Sequence, residues 1–433
     1  MSQHDPAGSA PSEDTTEAVQ APTAAPAAST TAARAHGVSV LREIVMGSGL
    51  VSVLAVVAAL VLGGLLIAST DERVGRTVGY LFARPTDFLS AFWKAATGSY
   101  AALFQGAVFN PREGFAPLLE TLTVSTPLIC AGLGVALAFR AGLFNIGAQG
   151  QIIIGGTLAA YAGFAWHLPA GLHLLLVIVL GVAGGAVWGG LVGYLKARTG
   201  AHEVILTIMF NYVALYLLDF LLNTSAFQRP GETNPISPRL DETAVYPALS
   251  GSRLHLGFLA AILLTVAVWW ILNRSTVGFE FRAVGANPDA ARTAGVDVGR
   301  ATVLVMALAG ALAGAAGVAQ VAGTEKVLTT GVAASYGFDA ITVALLGRST
   351  PWGTFAAGLL FGAFRAGAVQ MQIQTGTPID IVLVVQSLIV LFIAAPPLVR
   401  SLFGLGRGAR KRAAQAREGA DQPATATTTG GNA

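Results

Sequence analysis

Four stretches of this chain hold polar side chains inside apolar surroundings. The segment FNIGAQGQIIIGG, residues 144–156, sets Asn145, Gln149 and Gln151 among glycines between two long apolar runs. Asn211 lies in HEVILTIMFNYVALYL, Asp339 in YGFDAITVALLGRSTPWG (336–353) and Arg365 in LLFGAFRAGAVQMQ. A carboxamide both donates and accepts hydrogen bonds, so a set of amides can exchange bonds with a polar solute as water is stripped from it. Singly, each amide favours an interhelical hydrogen bond over a place on a path. Together with Glu120, Gln320, Gln370 and Gln372, the set favours a path for a polar, mostly uncharged solute.

Covalent chemistry has no such support. No nucleophile and base stand paired, which leaves an enzyme acting within the membrane without a catalytic set. No Gly-Lys dipeptide occurs, so the chain has no Walker A loop and cannot hydrolyse ATP by that route. HEVIL at 202–206 starts like a zinc-protease helix, but Leu206 stands where the second histidine is required. GLGRGA at 404–409 has dinucleotide-fingerprint spacing without the strand and helix around it. Cys130, the single cysteine, lies in an apolar run and reads as a small core residue. No cofactor or metal is expected on this chain.

The elements that position these groups follow from composition. The chain is 54% hydrophobic and 11% charged, with mean hydropathy +0.64, whereas soluble domains carry roughly 25% charged residues. Its apolar blocks have the length of membrane-crossing helices rather than the short alternating segments of a barrel. The fold class is therefore all-α, a polytopic transmembrane helical bundle of about ten crossings. They are placed near 46–69, 116–138, 150–166, 171–194, 203–222, 256–272, 301–322, 337–347 (short), 353–373 and 380–399. The net charge of +3 is small and spread over helix ends, which argues against nucleic acid and leaves membrane lipid as the surroundings.

Residues 1–38, rich in Ala, Thr, Ser and Pro, read as a disordered cytoplasmic tail. The transmembrane domain spans 39–400, and 401–433 reads as a flexible basic cytoplasmic tail. An even number of crossings puts both termini on one side. Arg140, Lys196, Arg198, Arg274, Arg282, Arg292 and Arg300 share that side, which marks it as cytoplasmic in a bacterial plasma (inner) membrane. Outer loop 70–115 contains basic and aromatic residues at partly helical spacing and reads as an interfacial helix. Outer loop 223–255, with FQRPGETNPISPRL, is Pro-rich and polar.

Gly181, Gly185, Gly189 and Gly193 recur every four residues, a stripe that lets another backbone approach; Gly310/Gly314 and Gly358/Gly362 repeat it. Irregular backbone at membrane depth needs protein or a water-filled cavity around it, so 144–151 and 336–353 read as interrupted segments in related halves. A kinked or re-entrant helix that serves packing alone would leave the same trace. In loop 273–300, NPDAARTAG reads as a short helix: Asn287 or Pro288 starts it, Asp289 suits its first turn and Gly295 ends it. Such a helix suits a docking knob.

The segments AGLFNIGAQGQIIIGG, HEVILTIMFNYVALYL, GFDAITVALLGRSTPWGTFAAGLLFGAFRAG and loop 273–300 strongly resemble permease subunits of bacterial ABC importers in the branched-chain amino acid/ribose permease superfamily. The resemblance is closest to the larger permease of nucleoside importers that use basic-membrane-protein-type binding lipoproteins, and it covers about 115–400. It implies a second permease subunit in a heterodimer, a cytoplasmic ABC ATPase that carries ATP and Mg, and an extracytoplasmic substrate-binding lipoprotein. It places Arg282, Gly285, Asn287, Pro288, Ala290, Ala291 and Gly295 on the helix through which ATPase motion passes. Family members often read NIGAEGQ, so Gln149 replaces a carboxylate here. The expected activity is nucleoside permeation with Asn145, Gln149, Gln151, Asn211, Asp339 and Arg365 near the path. A permease for a simple sugar such as ribose is the near alternative. A stand-alone secondary transporter or channel is the alternative of another class, and the scarcity of embedded carboxylates speaks against its ion coupling.

Overall fold

The computed structural model describes residues 48–249, 251–395 and 398. The two tails expected at 1–38 and 401–433 lie outside the described residues. Contacts divide the chain into two units after Leu50, and everything below concerns Val51 onward apart from the first residues of one helix.

All named elements among the described residues are helical, with only isolated bridges such as Ile236 to Thr329 between extended segments. The chain begins with α1 (Ser48–Thr70), α2 (Glu72–Val78) and α3 (Pro85–Ala107), and continues through α4 (Ala116–Arg140), α5 (Ala148–Ala165), α6 (Leu172–Thr199) and α7 (Glu203–Leu222). After a long connection come α8 (Gly257–Arg274), α9 (Thr276–Ala286), α10 (Pro288–Thr293) and α11 (Val298–Val318), which runs on into a π-helical turn, Ala319–Glu325. The last three are α12 (Tyr336–Leu346), α13 (Pro351–Thr375) and α14 (Ile379–Ala394).

The protein is a multi-pass membrane protein. Five helices, α4, α6, α7, α8 and α11 with its π turn, are long and apolar enough to cross a membrane, and α1 with α2 makes a sixth if that pair, bent by 74°, is one span. Each of the ten segments expected from sequence coincides with a helix, but ten full crossings are more than these criteria support. Polar side chains are part of the reason: α5 opens on Gln149 and Gln151, and α13 carries Arg365, Gln370, Gln372 and Gln374. Length is the other, since α12 has 11 residues and α14 has 16, fewer than the roughly 20 that span a hydrocarbon core.

Helix α4 is the centre, 83% buried over its apolar window, whereas α7 is 22% buried and shows most of its side chains outward. The glycine stripe on α6 packs as its spacing predicts. Gly185 approaches the carbonyl of Gly310 so closely that a Cβ would overlap it, and Gly314 meets Gly181 in the same way. Van der Waals contact replaces side chains along this seam, because lipid offers helices no hydrophobic drive to associate.

Helix α3 begins at Pro85, so the expected amphipathic segment is helical. It runs along α13, where Gly367 lies against the backbone of Leu103 and Gly106 against Gln370. The connection after α7 is tied to the end of α11. Ser237 exchanges bonds with Leu328 (3.0 and 2.8 Å), and Leu240 and Tyr246 donate backbone N–H groups to Lys326 (3.0 Å) and Ala322 (2.9 Å). It therefore caps the π turn of α11.

Candidate functional site

Between α4 and α5 the helix stops at residues 141–147. Gly142 takes a left-handed φ of +73°, which an L side chain rarely adopts, and turns the chain out of α4. The backbone groups freed there need partners. Asn145, 0% exposed, accepts from Gly147 N–H at 2.9 Å, and its amide bonds Gln151 Oε1 at 3.3 Å. Asn211 reaches in from α7, accepting from Gly150 N–H at 2.8 Å and donating to the Ile146 carbonyl at 3.0 Å. Glu203, at the start of α7, accepts from Phe144 N–H (3.4 Å) and from Lys196 Nζ (2.7 Å). His202 caps the same helix by accepting from Val204 N–H, so HEVIL is a capping sequence.

The second break lies between α12 and α13, at residues 347–350. Arg348 and Ser349 are both left-handed, with φ of 51° and 50°. Arg140, the last residue of α4, donates from Nε to the Ser349 carbonyl at 2.8 Å.

Gln149 joins the two interrupted regions. Its Nε2 donates to the Ala334 carbonyl at 2.7 Å and its Oε1 accepts from Gly337 N–H at 3.0 Å, so one side chain ties the start of α5 to the start of α12. A carboxylate could accept from Gly337 but could not donate to Ala334, which is what the glutamine adds. Gly337 lies against the backbone of Gln149 where no side chain would fit.

Two cavities adjoin this bridge. One, of 300 Å³, lies along α7 and is lined by Gln149, Asn211, Tyr212 and Phe338 among others. The larger, 640 Å³, lies among α3, the start of α4, α13 and α14. Arg365 faces it, bonded to Asp339 (2.7 Å) and to the Ser335 hydroxyl, with its guanidinium 4.4 Å from the ring centre of Tyr336. Pairing with Asp339 and stacking on Tyr336 accommodate a cation that could not face lipid.

The NPDAARTAG helix forms as its sequence predicts. Asn287 is its cap, accepting from Asp289 N–H (3.0 Å) and Ala290 N–H (3.1 Å); Pro288 opens α10, and Gly295, at φ +88°, turns the chain away after it. Ala291 is buried as the root, while Asn287, Pro288 and Ala290 are exposed. Gly285, one turn earlier, sits on the backbone of Arg140 and Ala141, with no room for a Cβ. Arg282 lines a 170 Å³ cleft with Arg140, Thr350 and Trp352. Through Gly285, α9, which leads directly into the knob, thus bears on Arg140, the residue that ends α4 and holds the second break.

The residues picked from sequence fall into three groups. Gln149 and Asn211 line the smaller cavity, Arg365 the larger one with Asp339 as its partner, and Asn145 and Gln151 line neither cavity and bond each other. Sequence reasoning missed Arg140, Lys196, Glu203, Ser335, Tyr336 and Gln386. Arg140 and Lys196 had counted only as markers of sidedness and Glu203 only as part of a failed metal motif; no local pattern announces that their partners lie across the bundle.

A membrane-embedded helical bundle with two bridged breaks, polar cavities beside them and an exposed knob has the parts that a transport component needs. The chain belongs to the family described as branched-chain amino acid transport system / permease component, whose model matches residues 118–394. It is similar to the guanosine ABC transporter permease protein NupP of Bacillus subtilis, 41% identical over 66% of this chain and 83% of that one. The nucleoside ABC transporter permease protein NupB of Lactococcus lactis is 34% identical (74% and 89% covered), and a glucose ABC transporter permease protein of Haloferax volcanii is 33% identical (73% and 83% covered). B. subtilis and L. lactis each hold a second, more distant relative, also named a guanosine or a nucleoside permease protein, at 26% and 29% identity. No solved structure matches the chain.

Proposed function

We propose that this chain forms one side of the alternating-access path of an ATP-driven importer for nucleosides, in a bacterial plasma membrane with both termini cytoplasmic and ten crossings. The guanosine and nucleoside permeases it resembles support the substrate class, and their occurrence in pairs supports a second permease subunit. ATP and Mg belong to a cytoplasmic ABC ATPase that grips α9 and α10. A substrate-binding lipoprotein meets the opposite end, where 223–255 forms the cap.

The observation that carries the reading is the seat of Gly285 on Arg140 and Ala141. Movement of the knob Asn287–Gly295 passes through this contact to the break at 141–147, and through the bond from Arg140 to Ser349 to the break at 347–350. Gln149 keeps the regions above the two breaks in register. In this scheme Gln149, Asn211 and Arg365 meet the solute, Asp339 orients Arg365, and Asn145 with Gln151 keeps the unwound backbone satisfied. Arg282, Pro288, Ala290 and Ala291 shape the knob that the ATPase holds.

The test is uptake of radiolabelled guanosine, adenosine, uridine, ribose and glucose in cells lacking the gene, restored with wild type or Gly285→Val. Wild type restores nucleoside uptake; Gly285→Val inserts but loses at least about tenfold in rate, because a branched side chain lifts α9 from α4. Uptake of a sugar alone in the restored cells would favour the sugar reading, which the H. volcanii relative supports. Normal uptake by well-inserted Gly285→Val would overturn the coupling route.

A further inference from the structure

We infer that the 640 Å³ cavity on this chain is a binding site for a neutral nucleoside. This rests on the nucleoside reading above. The cavity has the size class of small-molecule sites, about 300–1,000 Å³. Its apolar wall comes from Phe364 on α13 and Val382 and Leu383 on α14. Its polar groups are specific. Gln386 is 6% exposed, lines the cavity, and its Oε1 has no hydrogen-bond partner. A buried carbonyl costs free energy until a donor reaches it, and a ligand hydroxyl or amine that displaces water from the cavity would be such a donor.

The charges define what that ligand is. Arg365 is neutralised by Asp339 at 2.7 Å, and Arg253 by Glu120 at 2.9 Å. With its two arginines already paired and the exposed carboxylate of Glu113 also in its lining, the cavity has no cation in reserve for a phosphate. A lipid tail would fill the apolar side but leave Gln386 Oε1 unanswered. A flat, uncharged base with a hydroxyl-bearing sugar meets both halves: the base against Phe364 and Leu383, and a donor to Gln386.

The site is linked to the bridge between the breaks. Tyr336 lines the cavity, Gly337 next to it donates its N–H to Gln149 Oε1, and Asp339 two residues on holds Arg365. An occupant that shifts the first turn of α12 therefore acts on the Gln149 bond directly.

Two measurements test this in cells expressing the whole importer. Guanosine uptake by Gln386→Met, which keeps the length of the side chain and removes the acceptor, should show a KM raised about tenfold with the maximal rate and the membrane level little changed. Photolabelling of wild type with 8-azidoguanosine should mark peptides of α13 and α14, and excess guanosine should suppress the mark. Unchanged KM in well-inserted Gln386→Met, or labelling confined to the peptides of Gln149 and Tyr212, overturns the site while nucleoside uptake that depends on the gene leaves the function standing. If Gln386→Met fails to insert, the photolabelling of wild type decides alone. Loss of the gene without loss of nucleoside uptake removes the function and the site together. Lipid co-purifying in the cavity and undisplaced by guanosine also overturns it.

Discussion

The break at 141–147 and the break at 347–350 interrupt the bundle by opposite means. The first turns on a glycine, Gly142, and its freed backbone is answered from within the protein mainly by neutral amides, Asn145 and Asn211, with the Lys196-paired carboxylate of Glu203 on Phe144 N–H. The second places two L residues, Arg348 and Ser349, in the left-handed region and is held by an exposed guanidinium, Arg140. Burial explains the choice of partner, because an amide can be enclosed without losing a charge's hydration whereas a cation needs water or a counter-ion. Left-handed backbone costs about 1–2 kcal/mol per L residue. The first break is thus a satisfied structure and the second a strained one.

The largest expected effect tests the first half of that contrast. Asn211→Leu leaves Gly150 N–H and the Ile146 carbonyl without their partner, at about 1–3 kcal/mol for each buried group. The thermal midpoint of the purified protein should fall well below that of Arg140→Gln, whose exposed bond is worth about 1 kcal/mol. Equal falls would erase the distinction between the breaks.

Next comes the bridge. Gln149→Leu loses both bonds and Gln149→Glu keeps only the one from Gly337, so losses of about 2 and 1 kcal/mol are expected in that order. If glutamate proved as stable as glutamine, the donor to Ala334 would not contribute.

Strain should be visible in paired substitutions of opposite sign. Gly142→Ala forces a Cβ into a left-handed turn and costs about 1 kcal/mol, while Ser349→Gly relieves one and gains up to about 1 kcal/mol. A stabilised Ser349→Gly that transports more slowly would mark the second break as the moving one. A destabilised Ser349→Gly would show that the serine side chain, not its backbone, matters.

The smallest change at either break is expected from acid. His255, beside the cap over the π turn, is buried against Tyr246, and burial first, then Lys326, lowers its pKa from 6.5 to about 4. The unfolded histidine binds its proton at higher pH than the folded one, so stability present above pH 6.5 drains away as pH falls towards about 4. Hydrogen exchange should show 223–255 loosening over that window with 141–147 unchanged, and His255→Gln should flatten the response. Loosening of both regions together would mean that cap and break form one cooperative unit.

Sequence alone determined the class of molecule and its local devices. Composition and block length set a helical membrane bundle, the four-residue glycine spacing its tightest seam, the amide-rich and Gly/Pro-rich runs its two interruptions, and NPDAARTAG a short helix starting at Asn287 or Pro288. These are properties of neighbours along the chain, where helical periodicity and capping chemistry act within a turn or two. Tertiary structure decided the partners. Gln149 bonds residues 185 and 188 positions away, Arg365 finds Asp339 across 26, and Glu203 braces Phe144 across 59. An amide or a guanidinium is compatible with many acceptors, and only the packed bundle brings one of them within 3 Å. The same reason separates Asn145 and Gln151, which hold the backbone, from Gln149 and Asn211, which reach a cavity. It is also why Gln386, one glutamine in an apolar helix, stands out only once its carbonyl is seen buried without a partner.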